Sequence, residues 1–286
     1  MESYPIFNQG LRATLYEIGL NTVDPSRLEA FYSEALGYRF DNVGGVRLGI
    51  ARDRRLTIHN GRQNTLTYAA YAVQDARQLL ALKDRIMRAG VSFEMIEMSG
   101  FEDRVVALTD PDGNCLRFGV ARGVPDSHFL DVSDRPARLQ HVVFASINVE
   151  RLLSFFIDVI GFTLSDRVEA SDGSLRTAFV RCSHEHHSLA VFAANENRLD
   201  HHCYEASDWL LIRDWADHFA KRRIPLKWGP GRHGPGDNLF LFVHDPDGNW
   251  LEISAELEHV ADDRPVGIWP HEEYTLNTWG IGLLRS

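Results

Sequence analysis

DPDGNCLRF at residues 110–118 and DPDGNWLEI at residues 245–253 decide the fold. In each, proline presets one backbone dihedral, and the Asp-Gly-Asn that follows closes a turn in which Gly113 or Gly248 can take a positive φ. Apolar residues stand on both sides, Val105 to Leu108 before the first turn and Leu239 to Val243 before the second, so each stretch predicts a β-hairpin. The duplication extends upstream. RLEAFYSEALGYRF at 27–40 parallels RLLSFFIDVIGFTL at 151–164, with apolar residues coinciding at Leu28 and Leu152, Phe31 and Phe155, Leu36 and Ile160. That spacing is helical, and Gly37 and Gly161 stand where a helix C-cap wants a left-handed residue. YAVQDARQLLALKDRI at 71–86 parallels YEASDWLLIRDWADHF at 204–219 as a second strand-to-helix unit. Each half therefore predicts a strand, an amphipathic helix, several strands, a second strand and helix, and a hairpin.

The repeat divides the 286 residues into an N-terminal domain over 1–130 and a C-terminal domain over 131–286, each long enough to bury a core. A polar linker with two prolines falls at 121–138, and a tail outside the repeat runs over 257–286. Forty acidic residues against thirty basic ones give a formal charge of −10, which opposes binding to nucleic acid or to an anionic membrane. No apolar run approaches the roughly 18 residues of a membrane span, and MESYPIFNQG lacks a basic-then-apolar leader pattern. Cys115, Cys182 and Cys203 are isolated and odd in number, so the expected setting is a reducing cytoplasm without disulfides.

This duplicated pattern resembles the vicinal oxygen chelate superfamily over nearly the whole chain. The resemblance implies an α+β fold of two domains, each made of paired βαβββ modules that form a half-open barrel around a metal. The C-terminal half carries residues suited to that metal. His141 opens the strand LQHVVFAS, His201 and His202 sit in RLDHHCYEA, and Glu252 follows the second DPDGN turn. Two histidines and one carboxylate on one face of an ion leave positions open for a substrate and O₂. Strand alternation turns Glu252 away from Leu251 and Ile253, and an inward carboxylate is costly unless it is paired or bound to a metal. The residues flanking His201 and His202 do not decide which of the two faces inward. The repeat supplies an internal control: offsets of 124, 133 and 135 place Glu17, Ala69 and Arg117 opposite His141, His202 and Glu252. An arginine at a ligand position repels a cation, so the N-terminal half reads as a scaffold whose metal site is degenerate.

Within the superfamily the chain resembles the extradiol dioxygenases that cleave catechol, homoprotocatechuate and 2,3-dihydroxybiphenyl. In those enzymes a histidine precedes the second metal histidine by fifteen residues, as His187 precedes His202 here. The resemblance thus implies His141, His202 and Glu252 as ligands of Fe(II), with Mn(II) as the alternative, and His187 as the acid–base residue. Histidine suits that role because its pKa lies near 6.5. GPGRHG at 229–234 implies that His233 reaches the substrate or oxygen. The family's tyrosine ten residues before the carboxylate is replaced by Phe242, and Tyr204, Tyr274 and His271 are candidates to supply the missing polar group. Trp228 and Phe242 are expected to contact substrate, with the Trp228 indole favouring an uncharged or bulky diol. The implied partners are a small aromatic diol, O₂ and further copies in a homo-oligomer, in aromatic catabolism. A glyoxalase-type isomerase or a non-enzymatic binding protein is the alternative; the one-sided ligand set argues against both.

Overall fold

The structure, a computed structural model, describes residues 10–123 and 135–284. Four βαβββ units follow one another. The first comprises β1 (Ala13–Thr22), α1 (Pro25–Leu36), β2 (Arg39–Val43), β3 (Val46–Ala51) and β4 (Arg54–Asn60). The second comprises β5 (Thr65–Val73), α2 (Ala76–Arg88), β6 (Glu94–Ile96), β7 (Val105–Thr109) and β8 (Cys115–Val120). In the third, β9 (Arg138–Ser146) leads to α3 (Val149–Ser154), which widens into a π-helical turn over Phe155–Ile160 before β10 (Thr163–Glu169), β11 (Leu175–Arg181) and β12 (Leu189–Ala193). The fourth contains β13 (Arg198–Ala206), α4 (Trp209–Lys221), β14 (Trp228–Arg232), β15 (Leu239–His244) and β16 (Trp250–Ala255). Beyond the repeat come β17 (Gly267–Pro270) and a one-turn helix, α5 (Glu273–Leu276).

Local chemistry sets the unit boundaries. Each main helix starts on an Asx cap: Asp24, Asp75, Asn148 and Asp208 accept from the backbone N–H three residues on. Gly37 and Gly161 close α1 and the π turn at φ 72° and 90°, as their placement predicts. Gly113 and Gly248 turn the two hairpins at φ 94° and 87°.

The strands form two sheets, β2-β3-β4-β1-β5-β8-β7-β6 and β14-β15-β16-β13-β9-β12-β11-β10-β17. Two units meet in each sheet through one antiparallel pair, β1 with β5 and β9 with β13. The first sheet ends at Val120 and the second begins at Arg138. The domain boundary expected at 130/131 lies between them, outside the described residues. No helix of the described residues is long and apolar enough to cross a membrane.

One continuous apolar core joins the helix-covered faces of both sheets, with Tyr71 and Phe118 on one side and Phe144, Phe156 and Phe162 on the other. The halves clasp each other reciprocally. Arg27 at the start of α1 pairs with Asp247 of the second DPDGN turn, and Arg151 at the start of α3 pairs with Asp112 of the first. Polar groups are buried between the halves as well. Tyr32 Oη donates to Asp245 Oδ2 at 3.1 Å, and Tyr38 Oη donates to Tyr204 Oη at 3.1 Å.

Burial pushes Asp245 up to about 6, against hydrogen bonds from Asn249 and Tyr32 that favour the carboxylate. Because the folded value lies above the unfolded one, this residue supports the fold fully below about pH 4, and the contribution is lost as pH rises through about 6. The shift corresponds to roughly 3 kcal/mol. Urea melts should show stability falling over that window, and Asp245→Asn should flatten the slope; an unaltered slope would rule the residue out as its source.

Candidate metal centre

The concave face of the second sheet gathers the site from three adjacent strands. His141 comes from β9, Glu252 from β16 and His201 from β13. His141 Nε2 and His201 Nε2 each lie 3.2 Å from Glu252 Oε2, and 3.4 Å from each other. All three side chains are buried. Three donors at about 2.1 Å from one ion, at right angles, sit about 3.0 Å apart, so this set fits one face of an octahedral divalent cation.

His202 lies on the other side of the sheet, which corrects the ligand expected from the fifteen-residue spacing. Its Nε2 is 3.1 Å from Tyr32 Oη between the two halves, and burial pushes it down to about 3, leaving it a neutral core imidazole. A β-bulge is the cause. Leu199 pairs with Phe144 and His201 with Val143, so Asp200 is the extra residue of β13. Leu199 and Tyr204 both enter the apolar core although they differ in parity, and the bulge between them turns His201 and Cys203 inward. A matching irregularity at Gln140 in β9 places Leu139 and Val142 in the core and His141 in the barrel.

Each bulged residue also holds the histidine that follows it. Asp200 Oδ1 lies 2.7 Å from His201 Nδ1, and the Gln140 side-chain carbonyl meets His141 Nδ1. With Nδ1–H committed to an oxygen, Nε2 keeps its lone pair for a cation. Burial alone would raise Glu252, but the surrounding His141, His201 and His233 imidazoles hold it well below the usual carboxylate range. Burial likewise lowers His141, whereas in His201 the Asp200 and Glu252 carboxylates outweigh burial and raise it. Cys203 Sγ also falls within 4.8 Å of ligand atoms of His141 and Glu252. Burial and the Glu252 charge keep that thiol protonated, and it donates to Ser254 Oγ at 3.1 Å, so His201 is the better third donor.

A cavity of about 810 Å³, including its open mouth, stands over the three donors. His187, His233, Trp228 and Phe242 all line it, as does His271. The His187 and His141 ring centroids are 4.4 Å apart, and His233 Nε2 is 3.7 Å from Glu252 Oε1. Phe242 pairs directly with Glu252 in register, stacks with Trp228 at 5.3 Å and meets the His201 ring edge-on at 5.2 Å. Tyr204 is buried in the interface and Tyr274 points into solvent, so neither supplies the hydroxyl missing at Phe242. Thr177, Asn238, His233 and His271 are the polar groups at hand, and Asn238 Nδ2 reaches Glu252 Oε1 at 3.3 Å. The tail closes one side of the cavity through Thr275, Leu276, Leu283 and Leu284. The sequence repeat gives no hint of this, because the tail lies outside it. Phe179 and Phe192 also wall the cavity; apolar alternation in β11 and β12 marks such residues as inward without saying against what.

In the N-terminal half the same strand positions carry different side chains. Pairing of β1 with β5 makes Tyr68 the counterpart of His201, replacing the expected Ala69. Tyr68 Oη donates to Glu17 Oε1 at 2.5 Å, Arg55 Nε donates to Glu17 Oε2 at 2.9 Å, and the Arg117 guanidinium lies 3.6 Å over the Tyr68 ring. Phe101 and Val105 pack against Tyr68 there. Two guanidinium groups, Arg55 and Arg117, thus stand beside Glu17 and Tyr68 where the C-terminal half has its donors.

The described residues form paired βαβββ units, and those of the C-terminal half bring two histidines and one carboxylate together. Residues 138–253 match the model of the Glyoxalase/Bleomycin resistance protein/Dioxygenase superfamily. Metapyrocatechase 2 of Cupriavidus necator is 32% identical over 147 residues, covering 51% of this chain and 45% of that protein, less than half of its length. An iron-dependent extradiol dioxygenase of Rhodococcus jostii (strain RHA1) is 25% identical over 249 residues, covering 79% of this chain and 81% of that protein. Among solved structures, homoprotocatechuate 2,3-dioxygenase from Brevibacterium fuscum, in complex with 3,4-dihydroxyphenylacetate, superposes with a TM-score of 0.84 at 20% identity, covering 99% of this chain and 93% of that one. That likeness establishes the vicinal oxygen chelate fold.

Proposed function

We propose that this protein is an Fe(II)-dependent extradiol dioxygenase that opens the aromatic ring of a catechol-type diol with O₂, acting in the cytoplasm in aromatic catabolism. The observation that carries the reading is the cluster of His141 Nε2, His201 Nε2 and Glu252 Oε2, each 3.2–3.4 Å from the next, under an aromatic-walled cavity. Cys115, Cys182 and Cys203 are free thiols, in keeping with a reducing compartment. When bound, a divalent iron would supply a Lewis-acidic, redox-active centre that brings diol and O₂ together; Mn(II) suits the same donors.

The chain's own residues do the rest. Trp228, Phe242, Phe179 and Phe192 present ring faces and edges that hold a planar aromatic substrate. His187 is the base for a diol hydroxyl proton and returns that proton later. Burial, reinforced by His141 and His186, keeps its pKa well below the ordinary histidine value, so it waits as a neutral imidazole. His233 Nδ1 donates to the Leu276 carbonyl at 2.6 Å, which points Nε2 at the open side of the centre. Asn238 and Thr177 offer the remaining polar contacts. The tail residues Leu276, Leu283 and Leu284 keep water out.

Protein prepared without oxygen, loaded with Fe(II) and given a panel of vicinal diols in air should form yellow ring-fission product with at least one of them. Colourless solutions across catechol, alkyl-catechols and aryl-catechols would remove the dioxygenase reading.

A further inference from the structure

We propose that Asp166 and His186 are positioning residues for His187, a buried carboxylate–imidazole pair that fixes which nitrogen of His187 is free to act as the base. The proposal rests on the acid–base role assigned to His187 above and extends it to residues behind the cavity wall.

Asp166, on β10, is fully buried and receives three donors from the tail: Arg264 Nη1 at 2.6 Å, Trp269 Nε1 at 2.7 Å and Gly267 N at 3.1 Å. Burial would raise its pKa, but contacts from His186, Arg264 and Trp269 hold it at about 2, so the carboxylate only accepts. His186 is buried too, and its Nε2 lies 3.0 Å from Asp166 Oδ2. The two atoms are in close polar contact without an aligned hydrogen bond. An acceptor-only neighbour still draws the His186 ring proton to Nε2 and leaves Nδ1 as the accepting nitrogen. His186 Nδ1 lies 3.1 Å from His187 Nδ1, and two nitrogens that close share one proton. His187 therefore carries its proton on Nδ1 and exposes the Nε2 lone pair. It can accept a proton there without first changing tautomer.

Packing holds this arrangement. Phe179 stands edge-on to His187, 5.2 Å between centroids, and 5.6 Å from His186. A Cβ at Gly236 would sit 3.0 Å from His186 Nδ1 on a backbone of φ +80°, so glycine leaves that nitrogen to His187. The same carboxylate ties β17 to β10, which couples the acid–base residue to the tail that walls the cavity.

The test uses full-length protein labelled with ¹⁵N-histidine and loaded with diamagnetic Zn(II), alongside kinetics of the Fe(II) form. Long-range ¹H–¹⁵N spectra should show His187 with its proton on Nδ1. His186→Phe removes the acceptor and should shift His187 away from that tautomer. It should also lower kcat at least ~10-fold at unchanged metal content and diol KM. His186→Asn places an amide oxygen where Nδ1 stood and should restore both the tautomer and most of kcat, which a purely structural role would not allow. Wild-type His187 protonated on Nε2, or a tautomer and kcat indifferent to His186→Phe, would overturn the proposal. An unchanged kcat in His187→Gln would instead remove the acid–base role of His187, while the tautomer spectra still decide whether His186 positions it.

Discussion

His201→Ala should purify without a retained divalent metal, its affinity lowered by well over ~100-fold, whereas His202→Ala should retain a full complement. The two residues are adjacent, yet the Asp200 bulge puts His201 Nε2 3.2 Å from Glu252 and His202 Nε2 3.1 Å from Tyr32, on opposite faces of one sheet. Loss of a partner behind a ligand typically costs 10- to 100-fold in affinity, and loss of the ligand itself costs more. His202→Ala should act on the fold instead. It opens a cavity at the interface and removes one partner of Tyr32 Oη, for roughly 2–4 kcal/mol. Metal content by mass spectrometry and urea midpoints measure the two effects independently. A variant pair with the outcomes exchanged would mean that the strand register is wrong.

The second large effect belongs to His187→Gln. The imidazole sits 4.4 Å from the His141 ring but contributes no atom to the three-donor cluster, so metal should be retained. Removal of a positioned acid–base group usually costs 10²- to 10⁴-fold in rate, and kcat should fall into that range with substrate binding little changed. Equal losses of metal and kcat would show that His187 supports the centre itself.

Much of this architecture can be read from sequence because its signals are local. Each DPDGN turn and each helix-closing glycine is decided within a few residues, so the duplicated units emerge from the sequence. His141 and Glu252 are legible as well, since each stands at a repeated strand position. The choice between His201 and His202 is harder, because a bulge is a property of two paired strands. One extra residue, Asp200, inverts the parity of everything after it. A trace of it was present: Leu199 and Tyr204 are both large and apolar but five residues apart, a separation that no regular strand can place on one face. Counting back from a neighbouring histidine by family spacing passes over that conflict, and the same error moved the N-terminal counterpart from Tyr68 to Ala69. The tail is opaque for another reason. Its contribution to the cavity depends on β17 joining β10 through Asp166, a contact about 100 residues apart in sequence with no repeat to announce it.

The central claim is that the three-donor centre of the C-terminal barrel joins a vicinal diol to O₂, and an oxygen electrode tests it most directly. Fe(II)-loaded protein supplied with a diol that it turns over should consume one O₂ per diol, release no hydrogen peroxide and lose the activity on chelation or in Glu252→Ala. Diol consumed without oxygen uptake, or oxygen recovered as peroxide, would contradict it.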